Sequence, residues 1–461
     1  MTIAEVLAER ISTVSFDDLP DDAVHWAKVA VMDTVGCTLA GANEPCAQII
    51  GRTATIGSSG GDCLVFGSDR RVAPLDAALI NGTAAHALDY DDCSDTLGGH
   101  PSAPVLPALF ALAETRPVTG RDFLASYVAG WEAETRIARG VNFHHYEKGW
   151  HPTATLGVFG ATAACGHMLR LPVPQMARAL ALAATFASGI KANFGTMTKP
   201  LHVGHAARNG LLAALLAADG FTSSANAFEH RQGFLNVFNG AGNYNADAIL
   251  AGWGDPWDIT DPGVAIKQYP CCGSTHPAVD AMLMLVREHD LTPDRVARIE
   301  SRTHQRRLAH TNRPDPQSEL DAKFSVQYCL ARALVSRQVG IEHFEGDSYR
   351  EPGIRALLPR IVAAPQAAVH VDLSEHFGAD VTVSLTDGRV LAKSVKRPLG
   401  RGPEVPLPIE LLEVKFMNCA QRSLPGGTAR ALMTMLRGFE GLERIRALTD
   451  AMVPPARMAA E

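Results

Sequence analysis

The sequence lacks several features that would assign it to common functional classes. It has no basic excess, since 42 Lys and Arg stand against 49 Asp and Glu for a formal charge of -7, so nucleic acid is not expected as its main partner. No apolar run approaches the roughly 18 residues of a membrane span, and Met1–Phe16 carries Glu5, Glu9 and Arg10 where a signal peptide is apolar. We therefore expect a soluble, cytoplasmic protein without a membrane partner.

The cysteines do not form a recognisable framework. There are 9 of them, an odd and scattered set that argues against structural disulfides. No CxxC or HExxH spacing occurs, which argues against a built-in zinc site. No glycine-rich phosphate loop follows a predicted strand, so a nucleotide cofactor is not indicated either.

What is present is a long helical pattern with an insertion. The helical period runs to about Trp257, includes a helix predicted over Pro152–Leu169, and returns from about Ile409. Between these parts, strand alternation marks four segments around a helix at about Asp321–Arg337. The strand segments are Arg295–Thr303, Ala367–Asp372, Val381–Leu385 and Val390–Val395, the last two joined across Asp387-Gly388, a hairpin signal. The pattern predicts a mainly α protein, with a large all-helical domain (1–266 and 401–461) and a smaller α+β domain (267–400).

Polar residues gather at the ends of otherwise apolar helices. One cluster, His86-Ala-Leu-Asp89-Tyr-Asp-Asp followed by Gly99-His100-Pro-Ser, places three carboxylates near a histidine. In another, Pro152 suits the first turn of a helix, which puts His151 at the N-cap or just before it, near backbone N–H groups that favour an anion. A solvated acidic turn and an ordinary helix cap are the plain alternatives.

Further clusters contain lysine and tyrosine. Lys199 precedes Pro200 and is predicted to lie on a loop that enters the next helix, which carries Arg208. There it would act as a base of lowered pKa or as a charged carboxylate ligand. Lys267 and His276 lie at the change of pattern, where pockets form between domains. Tyr328 lies on a helix, where the alternative is a core tyrosine with a satisfied hydroxyl.

Taken in order along the chain, these motifs resemble the MmgE/PrpD family over essentially its whole length. The motifs are Leu19-Pro20, Asp33-Thr-Val-Gly-Cys, His86-Ala-Leu-Asp-Tyr-Asp-Asp, Gly99-His-Pro-Ser, Gly149-Trp-His-Pro-Thr-Ala-Thr-Leu-Gly, Gly195-Thr-Met-Thr-Lys-Pro-Leu-His, Ala206-Ala-Arg-Asn-Gly, Lys267-Gln-Tyr-Pro and Asp321-Ala-Lys-Phe-Ser. The family includes 2-methylcitrate dehydratase, cis-aconitate decarboxylase and iminodisuccinate epimerase. The resemblance implies a helical domain with an α+β lid, a homodimer, and no metal or organic cofactor.

The resemblance also implies a set of site residues. The decarboxylase branch's pocket maps onto Asp89, His100, His151, Lys199, Lys267 and Tyr328. We predict catalytic roles for Asp89, His100, His151, Lys199 and Tyr328, and substrate contacts for Lys267, His276, Cys93 and Arg208. The reaction would form or quench a carbanion-like centre beside a carboxylate, with lysines and histidines stabilising the charge.

Three reactions and one non-catalytic role remain open. Cys93 stands where the decarboxylase branch has threonine, and the acidic loop lacks the Asn-Asp-Thr-Trp pattern of bacterial 2-methylcitrate dehydratases. The segments 149–157 and 195–210 are most similar to the epimerase branch. We predict a 2-methylcitrate dehydratase-like hydro-lyase acting on a small di- or tricarboxylate. An iminodisuccinate epimerase-like isomerase and a cis-aconitate decarboxylase-like lyase are the alternatives, and a non-catalytic, polycarboxylate-binding dimer is the contrasting class.

Overall fold

The chain divides into two compact units. A computed structural model describes residues 1–57, 60–366 and 377–455. One unit comprises Met1–Ile266 together with Pro408–Glu461, and the other comprises Lys267–Leu407. Helices dominate and the strands are few, which confirms the predicted mainly α fold class.

The first unit is built almost entirely from helices, which recur after the insertion. They are α1 (Ile3–Ser12), α2 (Asp21–Gly41), α3 (Pro45–Thr53), α4 (Pro74–Ala87), α5 (Ser102–Ala113), α6 (Gly120–Val141), α7 (His144–Lys148), α8 (Pro152–Thr155), α9 (Gly157–Met168), α10 (Val173–Phe186), α11 (Thr198–Ala218), α12 (Phe234–Asn239), α13 (Ala246–Leu250), α19 (Ile409–Ala420), α20 (Gly426–Arg437) and α21 (Ile445–Asp450). Helices α2, α4, α5, α9 and α11 are rich in buried small residues, which let neighbouring helices approach closely.

Two short antiparallel strand pairs accompany these helices, so the first unit is not wholly helical. Strand β1 (Cys63–Leu64) pairs with β2 (Arg71–Val72), and β3 (Cys93–Ser94) pairs with β4 (Val264–Ala265). The second pair holds the chain just after the acidic loop, because Cys93 lies opposite Ala265. Strands of two residues are too short to give a detectable alternation, which is why the sequence did not reveal them.

Two local predictions in this unit were wrong. Lys199 lies in the first turn of α11 rather than on a loop, since the helix begins at Thr198. The amide groups of a first turn lack partners within the helix, so Pro200 loses no hydrogen bond there. The single helix predicted over Pro152–Leu169 is two, α8 and α9, with Leu156 between them.

The second unit combines helices with a four-stranded sheet. Its helices are α14 (His276–His289), α15 (Gln305–Thr311), α16 (Glu319–Lys323), α17 (Val326–Ser336) and α18 (Pro352–Arg355), and its strands are β5 (Val296–Thr303), β6 (Ile361–Pro365), β7 (Ala379–Leu385) and β8 (Val390–Val395). The strand order is β6-β5-β7-β8, with β5 and β6 parallel and the other pairs antiparallel. Alternate residues of β7 are buried, and α14 and α17 pack on the sheet.

The predicted hairpin is confirmed, with Ser384 paired to Val390 across Asp387-Gly388. The helix predicted over Asp321–Arg337 is instead α16 and α17, because the Ser325 hydroxyl accepts the Tyr328 N–H at 3.0 Å and starts a new helix. The strand predicted at Ala367–Asp372 lies outside the described residues.

Across residues 1–57, 60–366 and 377–455, none of the helices has both the length and the apolar character needed to cross a bilayer.

Candidate active site

The site begins where helices α4 and α11 touch. A Cβ atom on Gly82 would lie 2.8 Å from the Cα atom of Gly204, so only glycine allows this approach. Toward the C-terminal end of α4 and the N-terminal end of α11, His86 meets Lys199, with Nε2 and Nζ 2.8 Å apart. Helix packing thus places an ammonium group against an imidazole, and both side chains are buried.

The acidic loop, residues 88–92, folds back over this contact. Asp89 adopts a left-handed backbone conformation with φ of 53°, which aspartate tolerates better than most residues. Its Oδ1 lies 2.7 Å from Lys199 Nζ. Asp91 Oδ2 accepts from His86 Nδ1 at 2.8 Å, and both of those side chains are fully enclosed. The loop therefore supplies one carboxylate to the lysine and another to the histidine.

His100 is held by both carboxylates of this loop. Its Nδ1 lies 3.2 Å from Asp91 Oδ2, and its Nε2 lies 3.6 Å from Asp89 Oδ1. The His100 backbone N–H donates to Thr153 Oγ1 at 3.1 Å, which ties this segment to α8. The ring also meets the His86 ring edge to face, with centroids 4.5 Å apart. His100, predicted from the sequence, thus lies inside the cluster.

His151 forms the other side of the site. It lies at the N-cap of α8, as the sequence indicated, although its side chain does not cap the helix. Its ring lies 5.7 Å from the His86 ring between centroids, and its Nδ1 is 3.3 Å from His202 Nδ1. The Phe194 and His151 rings are nearly perpendicular, with centroids 4.9 Å apart. His151 is therefore a neighbour of the charged cluster and also packs against an aromatic ring.

Burial and charge together set the protonation states of the cluster. Burial lowers the pKa of His86 to about 3, and Lys199 acts in the same direction. Burial, with Lys199 next in importance, also lowers the pKa of His151. Burial alone would raise the pKa of Asp91, but His100 and His86 outweigh it and hold that pKa well below its usual range. At neutral pH the arrangement therefore contains neutral imidazoles at His86 and His151 beside an ionised Asp91 carboxylate, and these groups can donate and accept hydrogen bonds.

Four side chains of this cluster could also surround a cation. Ligand atoms of His86, Asp89, Asp91 and His100 all lie within 4.8 Å of one another, and imidazole with carboxylate is a donor set that zinc accepts. Lys199 Nζ, however, already lies 2.7 Å from Asp89 and 2.8 Å from His86. The ammonium group therefore supplies positive charge where a metal ion would bind. Sequence spacing gave no sign of this donor set, because its members come from a helix, a loop and a later segment.

Two of the predicted substrate contacts lie in the same unit. Cys93 is buried, with Sγ 3.8 Å from His100 Nδ1, so it belongs to the cluster. Arg208 lies farther along α11 and is half-buried; its positive charge contributes to lowering the pKa of His205, after burial. The described contacts do not bring Arg208 to the carboxylates.

The remaining predicted residues lie in the second unit. Lys267 and His276 are buried, and His276 Nε2 lies 3.2 Å from the Cys271 carbonyl oxygen. The Tyr328 hydroxyl donates to the His343 carbonyl and accepts from Arg332 Nε at 2.8 Å. Tyr328 is thus bonded within its own unit, and the roles of these three residues remain predictions.

Sequence reasoning missed several members of the cluster. His86 and Asp91 were recognised as part of an acidic motif but not selected as site residues, although they make its shortest imidazole–carboxylate contact. His202 lies one turn after Lys199 on α11, a spacing of three residues that would have placed both on one helix face. The Asp92 carboxylate accepts from the hydroxyl group and the backbone N–H of Ser102, and these bonds attach the acidic loop to the start of α5.

Comparison with known proteins agrees with the motifs. The MmgE/PrpD N-terminal domain model matches residues 5–247, and the MmgE/PrpD C-terminal domain model matches residues 269–440. The chain is 30% identical to cis-aconitate decarboxylase of Homo sapiens over 469 residues, covering 99% of this chain and 95% of that protein. It is 27% identical to cis-aconitate decarboxylase of Aspergillus terreus, covering 97% and 95%. It is also 23% identical to the mitochondrial 2-methylcitrate dehydratase of Yarrowia lipolytica, covering 89% and 82%. The chain therefore belongs to the MmgE/PrpD family.

Proposed function

We propose that this protein is a lyase of small polycarboxylates and that cis-aconitate is its substrate, which it decarboxylates. The observation that carries the proposal is the Lys199 ammonium group, held between Asp89 and His86 at the centre of a buried cluster. Such a fixed cation stabilises negative charge far better in a buried site than in water. Relatives named as cis-aconitate decarboxylases align with nearly the whole chain, which supports this choice of substrate.

Decarboxylation poses a charge problem that this cluster can solve. The bond between the substrate carbon and the departing carboxylate breaks, carbon dioxide leaves, and the electron pair remains on the carbon skeleton beside the other carboxylates. A proton must then be delivered to that skeleton. We assign Lys199 to a substrate carboxylate and His100 to proton delivery, with Asp91 orienting the His100 ring.

The remaining imidazoles have a different part in this proposal. His86 and His151 are held neutral by burial. His86 can therefore donate to Asp91 and accept from Lys199 without adding a charge, and His151 can form a hydrogen bond with substrate as a neutral group. Tyr328 and Lys267, from the second unit, keep their proposed roles as a proton donor and a carboxylate ligand. The protein would act as a homodimer, without a metal or organic cofactor.

Dehydration is the second candidate, because one relative is named as a 2-methylcitrate dehydratase. It would use the same cation to stabilise charge beside a carboxylate while a hydroxyl group leaves. Iminodisuccinate epimerisation and non-catalytic binding of polycarboxylates remain alternatives that one substrate panel can separate.

The test is a panel of cis-aconitate, 2-methylcitrate, citrate and iminodisuccinate. Proton NMR follows each acid, headspace analysis detects carbon dioxide, and polarimetry detects inversion. We expect carbon dioxide from cis-aconitate alone, and its loss in Lys199→Met. Lys28→Met is the matched control, since Lys28 pairs with Glu440 away from the cluster. Water loss from 2-methylcitrate without carbon dioxide would favour the second candidate, and binding without any reaction would favour the non-catalytic class.

A further inference from the structure

A second buried lysine lies against the acidic loop. Lys415, on α19, donates from Nζ to the Tyr90 backbone carbonyl at 2.8 Å. The same Nζ lies 2.6 Å from Asp33 Oδ1, on α2. Lys415 is 5% exposed and Asp33 is 2% exposed, so this ion pair is enclosed by protein. It connects α2 and α19 to the loop that supplies the site carboxylates.

The Lys415 contact holds the backbone of the acidic loop between two of its carboxylate residues. Tyr90 lies between Asp89 and Asp91, the residues that bind Lys199 and the two histidines. Its carbonyl belongs to the peptide group that leads into Asp91. Fixing that peptide fixes where the Asp91 carboxylate can reach, and a displacement of about 1 Å in such a group can cost about 100-fold in rate. The Lys415 ammonium also lies 3.9 Å from the centroid of the Tyr90 ring.

Electrostatics keep this lysine in its charged form. Burial alone would lower the pKa of Lys415, but Asp33 and nearby thiols outweigh burial and raise that pKa. A charged donor makes a stronger hydrogen bond to a carbonyl than a neutral donor does. The Tyr90 carbonyl is therefore held by a cation whose own charge is balanced by Asp33.

A comparable buried ion pair in the same unit has no contact with the acidic loop among the described bonds and serves as a reference. Arg136 Nε binds Glu132 Oε1 at 2.6 Å, and both side chains are nearly fully buried. Glu132 also accepts from the backbone N–H groups of Gly254 and Asp258. Those contacts join α6 to a segment that supplies none of the site side chains. The two pairs thus match in burial but differ in what they hold.

We propose that Lys415 and Asp33 are positioning residues, which hold the acidic loop so that Asp91 meets His86 and His100. Neither of the pair is assigned a contact with substrate. The effect on turnover rests on the function proposed above, but the effect on the loop does not, and the two can be measured separately.

The experiment replaces the pair without leaving a lone charge. Asp33→Leu/Lys415→Met and Asp33→Asn/Lys415→Met are made in the full chain, and either one that folds decides the question. Removing both charges avoids the cost of an unpaired buried ion, so the melting temperature should recover relative to Lys415→Met alone. We expect kcat to fall by about 10- to 100-fold while KM changes much less, because the displaced loop lowers the rate more than it weakens binding.

A readout independent of turnover completes the test. In ¹⁵N-histidine NMR, the imidazole signals of His86 and His100 should shift in the double variants, because their contact with Asp91 is altered. The matched control, Glu132→Gln/Arg136→Met, should leave kcat and both signals unchanged. A double variant with recovered stability, wild-type kcat and unshifted signals would show that the Asp33–Lys415 pair only stabilises the fold. If the wild type turned over no polycarboxylate, the proposed function would fail, while the imidazole signals would still decide whether the pair positions the loop.

Discussion

Replacing Asp91 with asparagine gives the most direct test of the cluster. The amide has nearly the shape of the carboxylate but carries no charge, so the contacts at 2.8 Å to His86 and 3.2 Å to His100 become neutral hydrogen bonds. A hydrogen bond to a charged group contributes roughly 1.5–3 kcal/mol and a neutral one roughly 0.5–1.5 kcal/mol. The loss is about 1–1.5 kcal/mol for each bond, or about 2–3 kcal/mol for both if both act in the transition state.

The lost transition-state stabilisation predicts a decrease in kcat/KM. At about 1.36 kcal/mol for each tenfold change, kcat/KM for cis-aconitate should fall by about 30- to 160-fold in Asp91→Asn. Steady-state assays at pH 7 measure it, and thermal unfolding confirms that the variant is folded. Asp62→Asn, a change on an exposed carboxylate, is the control and should leave the rate unchanged. A folded Asp91→Asn protein with wild-type kcat/KM would refute the assignment of Asp91 as the residue that orients His100.

Three other predictions follow from the fold and the charges. Gly204→Ala should lower the free energy of unfolding by about 1–3 kcal/mol and reduce turnover, because its Cβ would lie 2.2 Å from a backbone carbonyl oxygen of α4. The control is Gly427→Ala, whose Cβ would have no atom within 4 Å, and it should leave both stability and turnover unchanged. His86 and His145, whose pKa values burial lowers to about 3 and about 4, should make stability fall from pH 6.5 towards pH 4. Between these pH values the two histidines bind protons in the unfolded chain but not in the folded chain, so each can lower the free energy of unfolding by up to about 1.4 kcal/mol per pH unit. Urea unfolding between pH 6.5 and 4.5 measures this free energy. A value that does not change with pH would contradict the prediction. Dialysis against EDTA should leave kcat unchanged, because Lys199 supplies the charge; a loss restored by zinc would contradict this.

The sequence was sufficient for features that depend on periodicity and turn chemistry. Helical periodicity predicted the mainly α fold, and alternation around Asp387-Gly388 predicted the β7–β8 hairpin. These are local patterns, because each helix turn or strand step is determined by near neighbours. Family motifs led to Asp89, His100, His151 and Lys199, and the structure brings all four to one place.

Other features depended on distances that no local pattern contains. Lys199 was placed on a loop because of Pro200, although a first helical turn tolerates proline without losing a bond. The contact of Asp91 with both histidines arises from the approach of α4 to α11 and from the left-handed turn at Asp89. The role proposed for Lys415 could not be inferred at all, because its partners Tyr90 and Asp33 lie hundreds of residues earlier in the chain.

The return of the chain to the first unit also affects how the protein is made. The ribosome completes α2 and the acidic loop long before it reaches α19. The Asp33 carboxylate therefore has no Lys415 to pair with until the whole inserted unit has been synthesised. Because α19 packs on α2 in the folded protein, we expect that face of α2 to stay uncovered until α19 has been synthesised. We expect a chain released at residue 407 to bind chaperones or aggregate, because this face of α2 is exposed. In the complete chain we expect α19 to cover it late in folding.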